Sequence, residues 1–164
     1  MENVLLFGCL LLGFVSALVA GVFLSFSDFV MAGLGRAAPA GGIESMQHIN
    51  RTVFRSVFLA SFLTLVPATT GFAVLALSSG DGPGRGLVIA AALIYVTSVF
   101  GVTMFGNVPM NKRLDVVDFR SSDAADYWRR YRQGWTYWNH VRTIGSAVTA
   151  ALFMLAAVLI AGVA

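Results

Sequence analysis

The sequence predicts an all-α protein: a four-transmembrane-helix bundle with short interfacial helices in its loops, forming a single domain over residues 1–164. Two observations predict it. Hydrophobic residues make up 57% of the chain and charged residues 12%, where a soluble globular domain averages about 25% charged. A soluble fold of this composition would leave much of its apolar surface in water, and lipid removes that cost. Moreover, four stretches lack Asp, Glu, Lys and Arg for the roughly 20 residues that a bilayer crossing needs.

Those stretches are 3–27, 56–80, 86–111 and 143–164. Each is bounded by charge: Asp28, then Arg55 and Asp81, then Arg85 and Lys112, then Arg142. Backbone groups in lipid must satisfy one another within the segment, so the stretches read as helices. The first has no Lys or Arg before it and is too long for a cleaved signal peptide, so it reads as a retained span. Every basic residue except Arg85 falls in segments 28–55 and 109–142. By the positive-inside rule both segments are cytoplasmic and both termini lie outside, in what is expected to be a bacterial inner membrane. The net charge of +3 comes from residues flanking apolar runs. The bilayer is therefore the expected partner and nucleic acid is not.

Within the first span, Gly13, Ala17, Gly21 and Ser25 form a stripe of small residues at four-residue spacing. Such a stripe lets helices approach closely, inside the bundle or in a homo-oligomer. Pro67 should kink the second span, with Thr64, Thr69 and Thr70 near enough to satisfy local backbone. Segment 78–86, SSGDGPGRG, lacks the Gly-Lys-Ser/Thr ending of a phosphate loop and reads as a tight turn. Ile43, Met46, Ile49 and Val53 approximate helical spacing, predicting a short interfacial helix before span two. The aromatic-rich segment 123–140 suits the headgroup level, with Asp123 as a helix cap. The lone cysteine, Cys9, reads as a small buried hydrophobe.

Polar residues gather at one membrane face. Ser25, Ser27 and Asp28 end span one, and Gln47, His48, Asn50 and Arg51 precede span two. Asn107 and Asn111 flank Pro109 at the end of span three. Trp135, Trp138, Asn139, His140 and Arg142 open span four. Trp135, Trp138, Asn139 and Arg142 share one helix face, as do Gln47, Asn50, Arg51 and Phe54. His48 and His140 then point about 100° away from those faces. Polar groups at a membrane are costly and usually functional, although span-end residues also bond to lipid phosphates or to one another. Two histidines are too few for a metal site without added ligands such as Asp28. No cofactor and no metal site is predicted, and haem, copper or zinc stay as alternatives. No nucleophile elbow, HExxH, Walker loop or dinucleotide fingerprint is present.

Four segments carry a family likeness: FSDFVMAGL at 26–34, GIESMQHIN at 42–50, GNVPMNKRLD at 106–115 and WTYWNHVRT at 135–143. Together they resemble the anthrone oxygenase-like family of membrane proteins, most specifically in their NxPxN and WNxxR elements. The resemblance covers most of the chain, while the Gly/Ala-rich segment 32–42 departs from the pattern. It implies a four-helix membrane bundle and an oxygenase that uses molecular oxygen on an apolar aromatic, anthrone- or polyketide-like substrate without an organic cofactor. On that reading His48 and His140 are the candidate catalytic bases. Asn107, Asn111, Asn139 and Arg142 would hold an oxyanion, Trp135 and Trp138 would stack on a ring, and Asp28, Gln47 and Asn50 would complete the substrate site. A non-enzymatic small-molecule- or lipid-binding protein, or a transporter accessory subunit, is the alternative. Midspan polar residues are few and mild (Ser61, Thr64, Thr97, Ser98), which counts against transport. A metal- or haem-binding membrane protein is the third reading.

Overall fold

The computed structural model describes residues 2–78 and 82–162. They are helical nearly throughout, and no strand occurs among them. Helix α1 spans Asn3–Arg36, α3 Val57–Ser78, α4 Arg85–Asp115 and α5 Ala124–Ala161, each long and apolar enough to cross a membrane. A shorter helix, α2, spans Pro39–Thr52. The chain is an integral membrane protein of the class its composition predicts.

Local sequence explains the joints. Pro39 biases Ala38 toward extended backbone and itself starts α2, whose first turn needs no donor at that position. The α2–α3 joint turns at Ser56, which is extended. Ser56 Oγ accepts from the Leu59 amide at 3.1 Å and so caps α3. Asp123 precedes α5, but its side chain caps no amide. Its carboxylate instead accepts from Ser122 Oγ. Residues 79–81 of the expected tight turn lie outside the described residues. Gly84 closes the turn at φ +77°, and a Cβ there would lie 3.0 Å from the Ala156 backbone. Both the left-handed backbone and the close approach to α5 require glycine.

Helix α1 packs along α5, α5 along α4, α4 along α3, and α3 returns to α1. The membrane-level core centres on Phe62, Tyr95 and Phe153, all essentially buried. Cys9 belongs to it, as a buried free thiol. The Tyr95 hydroxyl donates to the Phe62 carbonyl at 2.9 Å and ties α4 to α3. Of the small-residue stripe, Gly13 packs inside against Met154 and Ala150, whereas Ala17 is exposed and Gly21 faces open space. Pro67 sits inside α3. The Thr69 and Thr70 hydroxyls both reach the Val66 carbonyl, not that of Leu63, which proline deprives of its partner.

Helix α5 has 38 residues. At 1.5 Å per residue it runs about 57 Å, against a hydrocarbon core of about 30 Å. The sequence places its span at 143–164, and the helix starts much earlier, so its first half stands beyond the bilayer core. There it meets α2 in a second core of Met31, Ile43, Met46, Leu114, Trp128, Tyr131 and Trp135. Gln47 fastens that assembly. Its buried amide donates to the carbonyls of Leu114 (2.8 Å) and Val117 (3.0 Å), just where α4 ends. Gln47→Leu should therefore lower stability by about 1–3 kcal/mol, since two buried acceptors lose their donor. Thermal unfolding in detergent checks this, and an unchanged midpoint contradicts it.

Candidate functional site

Where α2 crosses the polar end of the bundle, a cleft of about 440 Å³ opens. That is within the usual range for small-molecule sites. Its walls are mostly apolar: Phe23 and Phe26 of α1, Met46 and Ile49 of α2, Phe58, Leu59, Phe62 and Leu63 of α3, and Met104 and Val108 of α4. Leu63, a lining residue within the apolar stretch of α3, is 46% exposed, so the cleft is open at the level of that stretch. Leu63 lies six residues into α3 from Val57, a rise of about 9 Å from the start of that helix. The space thus runs from the charged end into the lipid-facing part of the bundle.

Two of the supporting helices depart from α geometry beside it. A π turn at Phe26–Val30 interrupts α1, and further π turns at Tyr95–Gly101 and Thr103–Asn107 interrupt α4. Such turns concentrate at functional sites because they re-aim side chains. Phe26 and Thr103, both in π turns, line the cleft.

The inner polar wall comes from α5. Arg142 is buried, 6% exposed. Its Nη2 donates to Asn139 Oδ1 at 2.5 Å. Its guanidinium lies 4.4 Å from the Phe23 ring centroid and 5.2 Å from that of Trp135. Its Nε is buried without a hydrogen-bond partner. Among the described residues no carboxylate forms an ion pair with it. Aromatic faces therefore hold this cation without neutralising it, which leaves its positive field available to whatever occupies the cleft.

Asn139 is fully buried and serves as scaffold. Its Nδ2 donates to the Phe23 carbonyl (2.6 Å) and to Ser27 Oγ (2.5 Å), which fixes its Oδ1 toward Arg142. Asn111 is fixed in the same manner. Its Oδ1 accepts from Tyr131 Oη at 2.9 Å and from Trp135 Nε1 at 2.8 Å. Two donors on the oxygen settle the orientation of the carboxamide, so its NH₂ edge is turned away from them. Asn50 Nδ2 is also buried, close to the Tyr131 hydroxyl but without a well-formed hydrogen bond. Arg142, Asn50 and Asn111 all line the cleft. Its inner polar groups are thus predominantly hydrogen-bond donors, an arrangement suited to holding an oxygen that carries negative charge.

The residues expected from sequence divide into three groups. Asn50, Asn111, Trp135 and Arg142 meet at the cleft. Gln47, Asn107 and Asn139 are buried beside it as structural ties, with Asn107 Nδ2 donating to the Trp135 carbonyl at 3.1 Å. Asp28, His48, His140 and Trp138 do not line it. The first three are exposed, and Trp138, 39% exposed, packs its ring over Gly106. Among the described residues no three His, Cys, Asp or Glu side chains gather as metal ligands. Sequence reasoning missed the phenylalanine walls and the carboxylate at the rim. The mouth carries Arg51, Lys112 and Asp115, with Arg51 Nε donating to Asp115 Oδ1 at 2.8 Å. Asp115 follows Asn111 by four residues, so one helical turn would have nominated it.

The fold and site define an integral membrane helix bundle that encloses an apolar, donor-lined cleft at one end. Residues 50–162 match the family model described as anthrone oxygenase, and the chain belongs to that family. The match takes in the NxPxN and WNxxR elements and leaves out α1 and most of α2. No curated protein and no solved structure matches the chain.

Proposed function

We propose that the protein is a membrane oxygenase acting on an apolar aromatic ketone of the anthrone type, with molecular oxygen as oxidant. One observation carries this reading: a buried guanidinium without a carboxylate partner among the described residues, set in an apolar cleft that is open at the level of the apolar stretch of α3. An aromatic ketone with an acidic ring CH₂ fits both halves of that description. Its rings suit the phenylalanine walls, and its oxygen becomes anionic during reaction.

The chemistry needs no organic cofactor. Loss of a proton from the CH₂ sends the C–H electron pair toward the ketone oxygen as an enolate. Arg142, Asn50 and Asn111 stabilise that oxygen. The enolate carbon then reduces oxygen and bonds to it, giving a hydroperoxide after protonation. Cleavage of the O–O bond with loss of the remaining C–H proton yields the new carbonyl and one water. One O₂ is consumed for each carbonyl and water formed, so the balance closes. Entry at membrane level supplies the neutral ketone directly from lipid.

The test is oxygen uptake by the purified protein in nanodiscs with anthrone as substrate, above the protein-free rate. Anthraquinone and water formed in equal amounts are expected. No uptake above background, with anthrone bound in the cleft, would favour a small-molecule-binding protein instead.

A further inference from the structure

Enolate formation needs a proton acceptor, and the two histidines lie outside the cleft. We infer that Asp115 is that acceptor, with Arg51 and Gln47 as its positioning residues. The inference rests on the oxygenase reading above and names the base for the same site.

The polar lining leaves few choices. Asn50 and Asn111 are amides, Trp135 is a donor, and Arg51, Lys112 and Arg142 are cations at neutral pH. The Thr103 hydroxyl donates to the Val99 carbonyl at 2.7 Å, and a hydroxyl is in any case too weak a base. Asp115 is the sole carboxylate lining the cleft among the described residues. A carboxylate base working with a donor-lined oxyanion site is a known solution for removing a proton next to a ketone.

Its geometry suits the task. Arg51 Nε occupies Oδ1, and among the described residues nothing bonds to Oδ2. One carboxylate oxygen is therefore held while the other stays free to accept a proton. Asp115 lies one helical turn from Asn111, and side chains so spaced have Cβ atoms about 5–6 Å apart. A ketone whose oxygen meets the Asn111 and Arg142 end would present its ring carbons toward the Asp115 end. The mouth position matters as well. The Asp115 side chain is 43% exposed, so the proton can exchange with water. The placement of Arg51 is not incidental. Gln47 and Arg51 are four residues apart on α2, and both hold the end of α4, one through the carbonyls of Leu114 and Val117 and the other through Asp115. Two attachments on one helix face fix α2 over the mouth in register with the carboxylate.

The proton inventory closes. The CH₂ proton moves to Asp115 Oδ2 as its electron pair moves to the enolate. The same proton then protonates the peroxide anion formed with oxygen, and Asp115 returns to its starting state.

The experiment is anaerobic exchange of the anthrone CH₂ protons in D₂O, followed by NMR with the detergent-solubilised protein and corrected for the protein-free rate. Asp115→Asn is expected to lose about 100-fold or more of the catalysed exchange, a typical contribution for a positioned base. The His48→Ala/His140→Ala double variant is expected to exchange like the wild type. Anthrone binding, followed by quenching of tryptophan fluorescence, should persist in Asp115→Asn. If Asp115→Asn does not fold, Asp115→Glu keeps the carboxylate on a longer stem. It must then show slower exchange with binding intact, and wild-type exchange in it overturns the assignment. Undiminished exchange in folded Asp115→Asn, or loss of exchange in the histidine variant, also overturns it. Failure of the wild type to catalyse either exchange or oxygen uptake defeats the oxygenase reading itself, so the two failures are separable.

Discussion

Arg142→Met should abolish most of the oxygen uptake while leaving the fold intact. Methionine approximates the length of the arginine stem and removes the charge. If Arg142 stabilises the enolate oxygen, its loss should cost about 10²–10³ in turnover, the usual effect of deleting one oxyanion donor. The stability side runs differently. A buried arginine at membrane level costs about 2.5–3.5 kcal/mol. Against that stand its contacts with Phe23 and Trp135, worth up to about 2 kcal/mol each when desolvated. The hydrogen bond to Asn139 adds about 1.5–3 kcal/mol. The contacts outweigh the burial cost by up to about 2–4 kcal/mol, and a buried methionine recovers part of that through its apolar area, so the melting midpoint should fall by several degrees with the fold retained. Oxygen uptake and thermal unfolding on the same preparation check both halves. Full activity in a folded Arg142→Met protein would refute the role. Collapse of the fold would show that the guanidinium is a structural tie.

Asn139→Leu should show the opposite profile, with stability falling first. Asn139 is fully buried and makes three bonds that leucine cannot replace. Its loss strips the Phe23 carbonyl of a donor and leaves Arg142 Nη2 with no acceptor in a dry setting. Removing one partner of a buried charged group typically costs about 3–5 kcal/mol. A double-mutant cycle gives the sharper reading. With Arg142→Met also in place the orphaned charge is gone, so the double variant should be more stable than Asn139→Leu alone. Additive losses in the cycle would mean that Asn139 acts only through α1. Unfolding midpoints in detergent measure all three variants.

The opposite fates of residues on one helix show what periodicity can and cannot do. A 3.6-residue repeat correctly joined Trp135, Asn139 and Arg142 on one face of α5. It also put Trp138 there, which the structure leaves at the edge of the face against Gly106. His48 and His140 are direct neighbours of the buried Gln47 and Asn139, and one residue step turns a side chain by about 100°. Choosing bases by their titration range therefore favoured two groups that the helices turn outward. Asp115 was overlooked because a carboxylate among Lys112, Arg113 and a chain turn reads as an ordinary span-end charge.

The number and class of helices, the membrane environment and the gathering of polar residues at one end follow from the sequence by itself. Each depends on a local property: a run of apolar side chains, a bounding charge, a proline at a helix start. The cleft does not follow in that way. Its lining comes from all five helices, and most of it is phenylalanine, leucine, isoleucine, valine and methionine that any span could carry. Which donors remain free also depends on partners far away in the chain, as when Asn139 spends its amide on Phe23, 116 residues earlier. Only the packed bundle decides which polar atoms are consumed in holding helices together and which are buried without a partner. Arg142 is both buried and unneutralised for that reason, because the tertiary structure surrounds it with rings and an amide where an acid would have silenced it.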